Sequence, residues 1–146
     1  CASRHMQDAY PAYLHIVHYQ TRTGLGASCP DCHVPHEFGA KMKRKIIAAK
    51  EVYAHYTGKV DTLEKFNAHR LEMAQNEWAR MKANDSKECR NCHNVDRMNF
   101  NDQRSVAARM HQKMKTEGKT CIDCHKGIAH QLPDMSGVES GFKDEK

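Results

Sequence analysis

Three copies of one five-residue pattern constrain this chain more than anything else in it. Cys29-Pro30-Asp31-Cys32-His33, Cys89-Arg90-Asn91-Cys92-His93 and Cys121-Ile122-Asp123-Cys124-His125 each carry two thiols followed directly by an imidazole. In such a pattern the thiols form thioether bonds to the vinyl groups of a haem, and the histidine takes its iron. The copies account for six of the seven cysteines and three of the eleven histidines. A zinc ribbon pairs one Cys-x-x-Cys with another and needs no histidine after every pair. A chain of 146 residues with three covalent haems has to fold around them.

The third copy runs on through Lys126-Gly127-Ile128-Ala129 to a second imidazole, His130. Four intervening residues, at a reach of roughly 3.3–3.6 Å each, do not wrap comfortably round a porphyrin edge. His130 is therefore better placed to ligate a different haem from the one held by His125. The stretch would hold one haem and clamp a neighbour.

Composition points the same way. Hydrophobic residues make up 39% of the chain and aromatic ones 7%, with four phenylalanines and one tryptophan. Such a chain buries little apolar area through side chains alone, and porphyrin rings would supply the missing interior. The haem-free chain should then be largely unfolded, because loading and folding are one event in such systems. Disorder is the other account of this composition. Eight glycines, four prolines and helical patterning speak against it. The formal charge of +5 is offset by haem propionates, up to about two negative charges per haem. Lysines and arginines are spread along the helices and form no single stripe, which excludes a nucleic-acid function.

Covalent haem attachment places the chain outside the cytoplasm, in a bacterial periplasm or its equivalent. No apolar run of about 18 residues, the length a membrane-spanning helix needs, occurs in it.

The apolar spacing predicts helices and no strand, hence an all-α fold of helices and loops wrapped around closely packed haems. Gln7–Tyr19 has helical spacing through Tyr10, Tyr13, Leu14 and Val17, and Phe38–Tyr56 has it through Met42, Ile46, Ala49 and Tyr53. Asp61-Thr62-Leu63-Glu64 is a capping-box pattern opening a helix to about Ala83, and Asn101-Asp102 should cap another that Gly118 stops. Residues 1–133 read as one haem domain and 134–146 as a polar tail.

A low-spin electron carrier needs a second strong ligand opposite His33, His93 and His125. His111 shares a helix face with Ala107, Ala108 and Met114, His130 ends a compact apolar turn, and His18 lies on the first helix. These three are the best placed. His36 is too near His33 for such a role, His69 looks exposed, and His15 and His55 are undecided.

These residues resemble a known family, the membrane-anchored tetrahaem quinol dehydrogenases of the NapC/NirT type. The match is carried by His18-Tyr19-Gln20, Cys29 through His36, Arg44-Lys45-Ile46 with Lys50-Glu51, Lys82 through Ser86, Cys89 through His93, Arg109-Met110-His111, and Lys119 through Pro133. The resemblance implies an α-helical protein with stacked haems on the periplasmic face of the inner membrane. It would take electrons from membrane quinol and pass them to a periplasmic terminal reductase. It also implies His130 on the haem of Cys29 and Cys32, His111 on that of Cys89 and Cys92, and His18 on that of Cys121 and Cys124. Lys45 and Glu51 match the family's quinol site. There an acid can accept the quinol proton while a cation holds it charged.

The chain departs from the family at its start. The family has Cys-x-x-Cys-His and a methionine two residues later, where Cys1-Ala2-Ser3-Arg4-His5-Met6 stands here. A single thioether at Cys1, with Met6 or His5 on the iron, is one outcome and an empty site is another. The expectation adopted is a fourth haem at Cys1 with Met6 as ligand. The family's membrane helix, the expected means of membrane association, would precede Cys1. Both departures fall on the quinol end, so two rival functions stay open: a soluble electron shuttle without a quinol site, and a small multihaem reductase.

Overall fold

The computed structural model describes residues 5–138, with side chains from residue 10 onward. Among the described residues it is all-α. The helices are α1 (His5–Leu14), α2 (Cys29–His33), α3 (Phe38–Tyr56), α4 (Leu63–Ala83), α5 (Lys87–Arg90), α6 (Ser105–Glu117) and α7 (Cys121–Cys124). Two 310 turns, Val95–Arg97 and Phe100–Asp102, separate α5 from α6, and no described residue is in a strand.

Local chemistry explains most of the boundaries. Helix α3 has the bounds its spacing predicts and closes where the Thr57 hydroxyl donates to the Tyr53 carbonyl at 2.9 Å. Helix α4 opens where the Thr62 hydroxyl accepts the Lys65 amide, while the Lys65 ammonium reaches Asp61 at 2.8 Å. Gly118 ends α6 in the left-handed conformation, φ +62°, that favours glycine.

Two boundaries differ from expectation. Helix α1 stops at Leu14, short of Tyr19, and gives way to turns such as Ile16 N–H to Tyr13 C=O. Pro11 lies inside this helix and removes one rung within it, and past Leu14 the chain continues in three-residue turns. His15 and His18 consequently stand on turns. Helix α6 starts at Ser105, because Asn99 and Asp102 engage each other at 2.7 Å and the Asn99 side chain accepts the Asn101 amide. Short polar side chains at 99–102 thus stabilise the 310 turn over a helical one.

The described chain forms two compact units, one of residues 5–77 with 127–138, the other of residues 78–126. In the second unit Met81, Val95, Met114 and Ile122 are buried together with Ser86, Glu88 and Thr120. Among the described residues of the first unit, Val60 is the one buried hydrophobic side chain. Its α3 leaves Phe38, Ile46, Tyr53 and Tyr56 exposed, at 79%, 69%, 71% and 84%.

Candidate haem centres

Each attachment motif is wound into the same local shape. Cys29–His33 is a single helical turn, and His93 and His125 each donate a backbone N–H to the carbonyl of the first cysteine, Cys89 and Cys121, at 2.9 Å. A four-residue closure puts the first thiol and the imidazole one turn apart on the same side. Carboxylates hold the turns open at their N-terminal ends. Asp31 accepts from the amide and hydroxyl of Ser28 at 2.7 and 2.6 Å, and Asp123 accepts from those of Thr120 at 2.8 and 3.0 Å. These are the reciprocal contacts of a capping box, within motifs that allow acid only at the variable positions.

In the second unit, two motifs are sewn together through Ser86. It is fully buried and takes φ +50° directly after Asp85 at φ +56°, a conformation costly for residues other than glycine. From there its carbonyl accepts the Cys89 and Arg90 amides, while its hydroxyl accepts the Ile122 amide at 3.1 Å. The thiols of Cys89 and Cys121 hydrogen-bond to each other. That bond, against the upward push of burial and aided by Arg90 and Ser86, brings the Cys121 thiol down to about 6. Helix α4 braces both motifs: Arg80 and Asn84 grip the buried Glu88 at 2.9 Å each, and Lys82 reaches Asp123 at 2.8 Å. Burial alone would raise Glu88, but the hydrogen bonds from Arg80 and Asn84 outweigh it and hold the carboxyl below its usual range.

Among the predicted ligands, the His111 and His125 rings are neighbours in this unit, tilted by 31° with centroids 5.9 Å apart. The Nδ1 of His111 is 2.7 Å from the Gln103 side-chain oxygen. Burial, followed by the fields of His111 and His93, lowers the basicity of His125 and favours its neutral form.

The first unit repeats the arrangement with other residues. His33 and His130 are stacked with centroids 6.1 Å apart and planes 30° apart. The Nδ1 of His33 is 3.0 Å from a Glu77 carboxylate oxygen. Burial, then His33 and Arg70, keep His130 neutral, and its Nδ1 is buried without a partner. Gly127 makes the approach to His130 possible. It has φ +75°, and a Cβ there would stand 2.7 Å from the Leu132 side chain. Arg70 pins the far side by donating to the Gln131 carbonyl.

This donor chemistry fits haem. A first-row metal lies about 2.0–2.1 Å from an imidazole nitrogen, so two imidazoles on opposite faces of one iron put their centroids about 6 Å apart. Both pairs meet that spacing, and metal ligation requires the neutral ring that burial favours in His125 and His130. No three or more His, Cys, Asp or Glu side chains converge as a metal cage among the described residues. The imidazoles come instead in neighbouring twos, the number axial ligation asks.

The other predicted residues are placed separately. His93 lies near enough to His125 to act on its charge, and His18 is half-buried in the turns after α1, where its carbonyl accepts the Ala27 amide at 2.8 Å. The Tyr13 hydroxyl also donates to the Ala27 carbonyl, fastening the approach to α2. Lys45 and Glu51 are not brought together. Residues six apart point to different sides of a helix, and Glu51 pairs with Arg44 at 3.1 Å, two full turns away. Cys1 and the Met6 side chain lie outside the described residues. Glu77, Gln103 and Ser86, each touching a predicted site residue or its motif, had no local signal in the sequence. They act on groups 8 to 44 positions away.

An all-α chain that carries three attachment motifs and neighbouring imidazole pairs is a multihaem c-type cytochrome, of the electron-transport class. The profile of the NapC/NirT cytochrome c family, N-terminal region, matches residues 1–135, and the chain belongs to that family. It is 97% identical over its whole length to the cytochrome c-type protein NapC of Haemophilus influenzae, of which it covers 73%. It is 58% identical over 144 residues to the NapC of Escherichia coli, covering 97% of this chain and 72% of that one. To the denitrification system component NirT of Stutzerimonas stutzeri it is 48% identical over 136 residues, 92% of this chain and 68% of that one. No solved structure matches the chain. The family membership carries covalently bound haem c with it.

Proposed function

We propose that this cytochrome takes electrons from membrane quinol and hands them to a periplasmic terminal reductase, working at the outer side of the bacterial inner membrane. The observation that carries the reading is that four of the predicted ligands lie as two neighbouring imidazole pairs, His33 with His130 and His111 with His125, which would suit saturated, low-spin irons built for electron transfer. An iron with both axial positions filled has no open position for a substrate, which disfavours a small reductase. The names of the relatives fit the same reading, one of them being a denitrification component.

Residues 1–133 would form the haem-bearing part. Haem supplies the one-electron chemistry, and the chain sets potential and spacing. Three haems are attached through Cys29 and Cys32, Cys89 and Cys92, and Cys121 and Cys124, and a fourth through Cys1 with Met6. His33 and His130 serve one iron. The ring distance supports His111 beside His125, whereas the family resemblance implies the Cys89 and Cys92 haem for His111 and the Cys121 and Cys124 haem for His18; His93 is the ligand supplied by its own motif. At the quinol end Glu51 accepts a proton, steadied by Arg44, and Lys45 contributes positive charge to a different side of α3. No helix among the described residues is long and apolar enough to cross a membrane.

Intact mass of the haem-loaded chain counts attached haems directly, with four expected. Reduction of those haems by a quinol analogue in liposomes, slowed at least tenfold in Glu51→Gln and Lys45→Ala, tests the donor. Unchanged rates in both variants would leave a shuttle without a quinol site.

A further inference from the structure

The two imidazole couples differ in what stands behind the ring. We propose that Glu77 is a positioning residue that lowers the potential of the haem of Cys29 and Cys32, and that Arg44 limits the effect. This rests on the assignment of His33 as an axial ligand.

The Glu77 carboxylate lies 3.0 Å from His33 Nδ1, and both side chains are partly buried, at 21% and 37% exposure. An ionised carboxylate can only accept, so the ring must carry its proton on Nδ1. That leaves the lone pair of Nε2 free for iron and fixes the ring's orientation. A charged acceptor on Nδ1–H also pushes electron density into the ring, making it a stronger donor. A stronger donor stabilises ferric iron over ferrous, so the haem becomes harder to reduce. Behind the carboxylate stands Arg44, 17% exposed, with one guanidinium nitrogen 4.0 Å from Glu77 and another 3.1 Å from Glu51. Its positive charge withdraws part of what Glu77 supplies. The same atom of His111 meets the neutral oxygen of Gln103 at 2.7 Å, a weaker acceptor, and Nδ1 of His130 meets none. The chain therefore grades its irons by the charge of the group behind the ligand.

The test is a spectroelectrochemical titration of the fully loaded chain, with ferric electron paramagnetic resonance of each low-spin centre. Glu77→Gln keeps the shape and removes the charge. It should favour reduction of one haem by about tenfold in equilibrium constant, ~59 mV upward for one electron, and shift the g-values of that centre alone. Glu77→Asp retains the charge and should recover most of the wild-type value. Arg44→Gln should move the same haem the opposite way, which mere loosening of the fold would not do. No movement in Glu77→Gln, equal movement of every haem, or movement of Arg44→Gln in the same direction as Glu77→Gln overturns the inference. Should Glu77→Gln fail to load haem, Arg44→Gln and Glu77→Asp decide it: a rise in Arg44→Gln, or a full tenfold shift in Glu77→Asp, overturns it. Near-infrared magnetic circular dichroism of the wild type separates the two levels. Without a bis-imidazole band the ligand assignment itself falls, and the inference with it.

Discussion

The two units solve one problem by different means. The unit of residues 78–126 has a small interior of its own, in which Met81, Val95, Met114 and Ile122 are buried, as are Ser86 and a gripped Glu88. The unit of residues 5–77 and 127–138 buries Val60 and leaves most of an apolar stripe along α3 in the open. At roughly 25 cal/mol per Å² of buried apolar surface, neither amounts to a stable domain, but the second has a nucleus and the first does not. Side chains can therefore hold the second unit together in part, whereas the first depends on the groups attached to it.

The largest effect that would break this contrast is loss of haem. In a chain with all motif cysteines changed to alanine, hydrogen exchange along α3 should become nearly unprotected. Amides around Met81, Met114 and Ile122 should exchange several-fold more slowly than those of α3. Equal exchange in both units would erase the distinction. Next comes Glu88→Ala, which leaves Arg80 facing a buried gap. It should cost about 1–3 kcal/mol, read as a lowered thermal midpoint. Because the folded Glu88 is more acidic than the free side chain, its stabilisation is present above the ordinary carboxylate range. That stabilisation is lost as pH falls through the folded value. Glu88→Gln should accordingly flatten the acid limb of a stability-against-pH curve.

Gly127→Ala sharpens the picture on the other side. A side chain at φ +75° and against Leu132 should cost about 1–2 kcal/mol. By displacing His130 it should also turn one haem partly high-spin, visible in the charge-transfer region of the absorption spectrum. The smallest change is Glu51→Ala. Its pair with Arg44 is exposed on the Glu51 side, so the thermal midpoint should reflect less than about 1 kcal/mol.

Much of the scaffold was legible in advance because it is local. Thr57-Gly58 and Asp61-Thr62 punctuate the chain where α3 ends and α4 begins, and the three motifs announce their own chemistry. The apolar spacing over Gln7–Tyr19 overshoots α1, because the same spacing runs on through the turns that follow Leu14. The ligand neighbours were only partly legible. His130 could be taken from its distance to His125, since a short tether limits where an imidazole can go. Glu77 behind His33, and the nearness of His111 and His125, come from elements packed far from each other in sequence. No periodicity encodes such meetings. Lys45 and Glu51 show the converse, since nearness along a helix places two groups on different sides when the interval is six.

The thiol contact of Cys89 and Cys121 bears on how the molecule is made. In the folded geometry Cys121 is acidified beside a second sulfur, so any chain that folds before loading is open to oxidation in an oxidising compartment. A crosslink there would occupy one anchoring sulfur in each of two motifs at once. Assembly is then a race, and delivery of the cofactor has to win it before the chain settles into the geometry that its finished form needs.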